Sequence, residues 1–453
     1  MGLLINHSLH YEKCPDGTVK CIEDEIPFEL PEGWEWTRIR NISTVKGGKR
    51  LPKGMSFSES PTNHAYIRVT DMKNNTIITS DLRFIADDVY EKIKNYIISK
   101  EDLYVTIAGT IGVVGEVPDE LDGMNLTENA VKITDITINK TFLCLLIQSD
   151  FVQQQFIDKT HQVAMPKLAL ERILSTLIPI CSISEQSSIV SRFNALSVLV
   201  NDIQQNNQEL IDTISLTKSK ILDLAIRGKL VPQNPDDEPA SVLLDRIRAE
   251  KEELIKQGKI KRDKKESVIY KGDDNSYYEA IGKDTENIDD DIPYDIPDGW
   301  AWCRIKDICQ MNAGKSKPKD QIFPEPFNNC FPCYGGNGHR GYVDTYNYEG
   351  KYSIVGRQGA LCGNVNTAEG KFYATEHAVV VTLFDKVNFE WSFFTLKTLN
   401  LNQYATGAAQ PGLSVANIQN VFIPVPPLSE QKRIADKVSQ LFSLLDSIAE
   451  NVN

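Results

Sequence analysis

The chain has 453 residues and a 41% hydrophobic composition, enough for several domains with cores of their own, and no apolar run approaches the roughly 18 residues that a membrane span needs. The polar N-terminus MGLLINHSLHYEKC is unlike a signal peptide, and nine irregularly spaced cysteines are unlike a disulfide framework, so a soluble protein of the reducing cytoplasm is expected. The net charge of −13 argues against a nucleic-acid partner until its distribution is read: residues 11–35 carry −6 and residues 273–298 carry −9, which leaves the rest slightly positive.

The two acidic stretches read as solvated segments, a leader over 1–25 and a linker over 266–291. After the leader comes Ile26 to Lys53, IPFELPEGWEWTRIRNISTVKGGKRLPK, a Pro-rich opening. Short β-branched runs follow between Gly, Asn and Asp turns: AYIRVTDM at 65–72, DLYVTIAG at 102–109 and NAVKITDITI at 129–138. A helical pattern spans Lys140 to Lys159, and residues 26–183 are expected to form one mixed α/β module.

The next segment, 184–265, differs in kind. Its apolar positions step by four and three through Ile189, Phe193, Leu196, Val200, Ile203, Asn207, Leu210, Ile214, Thr217, Ile221 and Leu224, the signature of a coiled coil. Asn207 on that seam would cost stability and fix register. Ser184 is the expected N-cap, and Glu185 suits the positive end of the helix dipole. Gly228 and Pro232 should end this helix, and another should start at Ser241 or its neighbours and run into a charged, solvated tail through Lys265.

Residues 292–428 then repeat the first module. Ile292 to Lys319, IPYDIPDGWAWCRIKDICQMNAGKSKPK, matches Ile26 to Lys53 at a constant offset of 266. Further on, Gly109 and Gly112 match Gly356 and Gly359, and Thr127-Glu128-Asn129-Ala130 matches Thr375-Glu376-His377-Ala378. Strands are expected at KYSIVG (351–356) and HAVVVTLF (377–384), and a helix over Trp391 to Tyr404. The closing Ile178 to Gln186 matches Ile423 to Gln431 at offset 245, so the second copy has lost residues in surface loops. A short distal helix over 429–453 restarts the seam with Ile434, Val438, Leu441, Leu445, Ile448 and Val452. At about 1.5 Å per residue the first seam spans roughly 53 Å and the second roughly 27 Å. The long helix should therefore keep apolar surface for a partner subunit or a second copy of the chain. The fold class is α/β: two homologous mixed α/β modules separated by long coiled-coil-forming helices.

Three motifs carry a family resemblance: the paired P-x-G-W-x-W openings (Pro31 to Trp36, Pro297 to Trp302), the paired Ser-Glu-Gln helix starts, and ILDLAIRGKLVPQNPDDEPAS at 221–241. On these the chain resembles the DNA-specificity subunits of type I restriction-modification systems, from about Ile26 onward. The resemblance implies two target-recognition domains, 26–183 and 292–428, each reading half of a split, asymmetric site in double-stranded DNA. The helices between them would act as spacer and dock two methyltransferase subunits, with restriction and motor subunits added for cleavage. Family members usually have a longer distal helix than this chain.

No catalytic constellation or metal-ligand spacing is found. Gly314-Lys315-Ser316 has the tail of a P-loop, but Cys309 stands where the motif needs Gly. Cys330-x-x-Cys333 lacks a second half-site, and E-x-K at 349–351 and 369–371 lacks an acidic partner. The chain itself is expected to bind no cofactor; S-adenosylmethionine, ATP and Mg²⁺ would belong to partner subunits. Candidate DNA contacts are the basic loops after each Trp pair, Lys46, Lys49, Arg50 and Lys53 and then Lys315, Lys317 and Lys319, which suit phosphates. Arg68, Arg83, Arg340 and Arg357 suit guanine edges, and Gln403 and Gln410 suit adenine. Trp34, Trp36, Trp300 and Trp302 read as module core. The competing reading is a coiled-coil assembly scaffold whose modules bind protein.

Overall fold

The computed structural model describes residues 9–13, 17–158, 167–263, 266–359, 361–384, 386–407 and 412–451. The chain divides into two compact units, residues 1–203 and 204–453.

Unit 1 is built on two four-stranded sheets. In the first, Leu103–Thr106 and Ala130–Thr134 lie centrally, with Val114–Glu116 and Thr44–Gly47 at the edges, all antiparallel. In the second, Ala65–Ile67 and Met124–Leu126 pair in parallel, flanked by Arg83–Phe84 and Ile97–Ile98. The expected helical stretch from Lys140 is two helices, Lys140–Gln148 and Asp150–Asp158, whose Leu143, Cys144, Ile147 and Phe156 join Val105, Val131 and Ile133 in the core.

Unit 2 carries one six-stranded sheet, in the order Cys309–Ala313, Ala378–Leu383, Tyr348–Gly356, Val365–Ala374, Phe331–Gly335 and Gly338–Val343. Its strand Val365–Ala374 takes the place of two strands of unit 1, Val114–Glu116 and Met124–Leu126. In unit 1 these are parted by Pro118 and the 3₁₀ turn Asp119–Leu121, which breaks one sheet into two. The residues lost from the second copy correspond to the stretch of unit 1 that holds helix Asp87–Ile93. The helix expected from Trp391 is Phe389–Thr398, followed by a 3₁₀ turn at Leu401–Tyr404.

Among the described residues both acidic stretches are folded, which corrects their reading as solvated segments. Tyr11–Lys13 and Val19–Cys21 form a hairpin, and Ser267–Lys271, Tyr277–Ile281 and Asp284–Asn287 form a three-stranded antiparallel sheet. One arginine per copy pins them, Arg38 buried and Arg304 half-buried. Arg38 forks onto Glu12 at 2.8 Å and Glu25 at 2.9 Å, and Arg304 forks onto Glu279 at 2.8 and 2.6 Å. Each arginine also donates to a carbonyl of its own module, Ser175 or Asn420. The acids thus neutralise a cation at the module surface instead of repelling one another in solvent.

The seam residues form a single helix, Ile183–Ile226, and a second helix, Ala240–Lys256, follows. The N-cap is Ser182 rather than Ser184: its hydroxyl accepts from the Glu185 amide at 3.3 Å. Gly228, at φ +66°, turns the chain out of the long helix where a Cβ would lie 2.4 Å from Pro297, so only glycine fits against the second P-x-G-W-x-W opening. Within unit 2 the distal helix Leu428–Glu450 lies antiparallel to the end of the long helix. Lys218 reaches Asp446 and the ring of Phe442, while Gln233, beyond the long helix, reaches Glu430 at the start of the distal one. Ile221, Ala225, Ile434 and Val438 are buried there, with Leu441 and Leu445 packed against them, and Ile214 is buried as well. Phe193, Leu196, Val200 and Ile203 are about half exposed, as is Ile448. Val452 and Gln410 lie outside the described residues.

Candidate nucleic-acid interface

The repeated motifs do two separate jobs, and the first is to join module to helix. Trp34 Nε1 donates to Glu185 at 3.2 Å and Trp300 Nε1 to Glu430 at 2.9 Å, so the first Trp of each opening meets the Glu of each Ser-Glu-Gln. The adjacent Gln186 and Gln431 are fully buried. Each accepts from the backbone N–H of an asparagine that caps a module helix, Asn139 or Asn388, at 2.9 Å, and donates to a carbonyl just before its own helix. Trp300 and Trp302 are core, whereas Trp34 and Trp36 are half-buried, Trp36 against Phe28 and Phe151.

The second job is a brace beside the sheet. In unit 1 the Gly48 amide donates to Ala130 O at 3.1 Å and Lys49 to Leu126 O at 2.8 Å; in unit 2 Gly314 donates to Ala378 O at 2.9 Å and Lys315 to Ala374 O at 3.0 Å. The basic loop is thereby strapped to the Thr-Glu-x-Ala turn in both copies. A Cβ on Gly48 would lie 2.1 Å from the Thr127 oxygen, and one on Gly314 2.1 Å from the oxygen of Ala374 just before the turn, which explains a glycine at both places. Beside each turn opens a cleft. That of unit 1, about 390 Å³, is lined by Arg50, Tyr66, Arg68, Thr70, Glu128 and Asn129 among others. That of unit 2, about 330 Å³, is lined by Gly336, Asn337, His339, Arg340, Gln358 and His377 among others.

The candidate contacts fall into two groups. Lys53, Arg83, Lys315, Lys319 and Arg340 are exposed. Lys49 is exposed with its ammonium 5.3 Å from the Tyr96 ring, and Lys46 lies 3.6 Å from Asp135 with both side chains in solvent. Arg50 is 78% exposed and donates to Glu128 at 2.6 Å. Burial alone would raise the Glu128 pKa, but Arg50 and its other donors hold it below the ordinary value. Arg68 is instead locked in place, forking onto buried Asp71 and bonding Asp81. Lys317 is only 10% exposed, 2.9 Å from Asp344 and over the ring of Tyr373. Arg68 lines its cleft, and both side chains have little freedom to approach a phosphate or a base. Arg357 is half-buried, and Gln403 donates back to its own turn at Leu399. The Thr-Glu-x-Ala turns were read only as repeat landmarks. Their presence in both copies was the available signal, with the third residue changing from Asn to His.

Such a duplicated scaffold, keeping a brace and varying the cleft beside it, defines a class of modular recognition protein. The model of the type I restriction modification DNA specificity domain matches residues 31–213 and 297–453. The chain belongs to this family, whose members are non-catalytic specificity subunits for sequence-specific DNA recognition. It is 43% identical over 147 residues to the EcoprrI specificity subunit of Escherichia coli, a match covering 32% of this chain and 37% of that protein. To the EcoAI specificity subunit, also of Escherichia coli, it is 25% identical over 515 aligned positions, covering 94% and 80% of the two chains. In fold it is similar to a chain of a type I R-M system solved for its complex assembly and conformational transition, with TM-score 0.64, 17% identity and 94% of both chains covered. It is likewise similar to the HsdS subunit of Thermoanaerobacter tengcongensis, with TM-score 0.54, 18% identity, and 94% and 93% covered. No helix among the described residues is long and apolar enough to cross a membrane.

Proposed function

We propose that this chain recognises a bipartite, asymmetric site in double-stranded DNA, one half-site per module, and directs methyltransferase and restriction subunits to it in the cytoplasm. The observation that carries this reading is the pair of clefts. Two modules with the same backbone brace and unlike cleft linings are what two different half-sites require, since base contacts specify and shared scaffolding positions. On this reading the helical segment between the modules would act as the spacer that sets the half-site spacing. Two methyltransferase copies would supply S-adenosylmethionine chemistry, and restriction subunits would supply ATP and Mg²⁺ chemistry. The exposed bases of Lys49, Lys53, Lys315 and Lys319 suit phosphate backbone, which predicts an affinity that falls with salt.

The test is a gel shift at graded salt with the methyltransferase complex, joined to sequencing of methylated positions in cells expressing the system. A split motif with unlike halves is expected, and indifference to DNA sequence would overturn the reading. The exposed seam at Phe193 to Ile203 favours a second reading, an assembly scaffold, which predicts complex formation without sequence preference.

A further inference from the structure

The two clefts are framed by positions that correspond one for one. Parallel pairing sets Leu126 beside Ile67 in unit 1 and Ala374 beside Tyr334 in unit 2. Arg68-Val69-Thr70 therefore occupies the place of Gly335-Gly336-Asn337, and the turn places Asn129 where His377 stands. The strand register and the brace are kept, while all four of these lining positions differ. A position that serves the fold should be kept in both copies; a position that reads two different sequences should not.

At the second cleft His377 and two residues beside the lining in the chain, Glu376 and Arg357, also have unpartnered polar atoms. His377 Nδ1, Glu376 Oε2 and Arg357 Nε are buried atoms with no hydrogen-bond partner among the described residues. Buried polar atoms are seldom left so in a finished site. In unit 1 the matching carboxylate is satisfied, with Arg50 donating to Glu128 Oε1 at 2.6 Å and the Thr127 hydroxyl to Oε2 at 3.1 Å. The place of Arg50 in unit 2 is taken by Ser316, and Glu376 has the His377 ring at 3.4 Å instead.

We propose that Asn129 and His377 are the base-discriminating residues of their modules, each reading a base edge from the lip of its cleft. This rests on the DNA-recognition reading above. An asparagine amide offers the paired donor and acceptor that match N7 and N6 of adenine, so the half-site of module one contains an adenine at the position under Asn129. Beside His377 stands the exposed fork of Arg340, which matches O6 and N7 of guanine, so the half-site of module two contains a guanine next to the base that His377 reads. Arg68 is held by Asp71 and Asp81, which leaves Asn129 rather than an arginine as the reader in module one.

The test is sequencing of methylated motifs from cells co-expressing the methyltransferase with wild type, Asn129→His, His377→Asn or both. Each exchange installs a side chain that the sister cleft already holds at that position. Asn129→His is expected to shift base preference at one position of one half-site by roughly tenfold to hundredfold and leave the other half-site intact. His377→Asn should do the same in the opposite half-site. A wild-type sample without a sequence motif would sink the DNA reading itself. A wild-type split motif that both exchanges reproduce unchanged would overturn only this assignment. Uniform loss of methylation with an unchanged melting temperature would make the residues positioning groups and overturn it as well. If an exchange lowers the melting temperature, Asn129→Asp and His377→Gln carry the same test, and an unchanged motif in them overturns the assignment.

Discussion

Gln431 ties three pieces of unit 2 together with one fully buried amide: the distal helix, the carbonyl of Pro426 before it, and the capping Asn388 of helix Phe389–Thr398. Gln431→Ala would leave a buried N–H and a buried C=O unpaired, and each such group costs about 1–3 kcal/mol. Urea denaturation of unit 2 should show a loss of about 2–4 kcal/mol, and a change below about 0.5 kcal/mol would mean the amide is not a fastening. A titratable counterpart is Glu279, whose carboxyl is held below its ordinary value by hydrogen bonding to Arg304, against the opposing effect of burial. A depressed acid stabilises the folded state above its unfolded value of 4.5, and that contribution is lost as pH falls through the lower folded value. The three-stranded acidic sheet should therefore stay docked at neutral pH and release under acid. Tryptophan fluorescence reports this, because Trp302 packs in one cluster with Tyr277 of that sheet. Glu279→Gln should weaken docking at pH 7 and flatten the acid step, whereas an acid transition identical to wild type would remove the ion pair from the account.

Among the elements, the seam was the most legible, because a heptad repeat declares itself over many residues and a helix has few ways to satisfy it. What could not be read was which part of it would be covered. The distal helix repeats the pattern of Ile189 to Asn207, yet within unit 2 it packs against the other end of the long helix, around Ile221 and Ala225. Ile221→Ala should accordingly cost about 2–4 kcal/mol, and Phe193→Ala, at a half-exposed position, less than about 1 kcal/mol. Denaturant titration of the two variants decides this, and equal losses would show the exposed half to be packed in solution. If the exposed half is the docking face for a partner subunit or a second copy, Leu196→Glu should weaken assembly measured by light scattering while leaving the melting temperature unchanged. The acidic leaders were illegible for the opposite reason. Their strands are three to five residues long and almost wholly exposed or half-exposed, and what docks them is an arginine distant in sequence, Arg38 or Arg304, that composition cannot reveal. Ser182 is not singled out by sequence because four serines, Ser182, Ser184, Ser187 and Ser188, stand near that helix start and only geometry chooses among them.

At the scale of the whole molecule, duplication makes the modules interchangeable in principle, since what fastens each one is the same. The Trp–Glu bond, the Gln clamp on a capping Asn and the glycine-backed brace recur in both copies. Replacing residues 292–427 by a copy of 26–182 therefore keeps the groups that meet the helix starts, and brings Pro31 and Trp34 to the surface that Pro297 and Trp300 present to Gly228. If each module reads one half-site, such a chain co-expressed with the methyltransferase should direct methylation to a site whose halves have the same sequence. The half-site belonging to module two should vanish from the methylated motifs. The clefts explain why the motif would change wholesale at that half and not by one base, because Arg340, His339 and Gln358 leave with His377 and are replaced by Arg50, Arg68 and Thr70 along with Asn129. A chimera that melts like wild type yet methylates the original asymmetric motif would show that the modules do not carry the sequence preference, and the paired clefts would lose their assigned meaning.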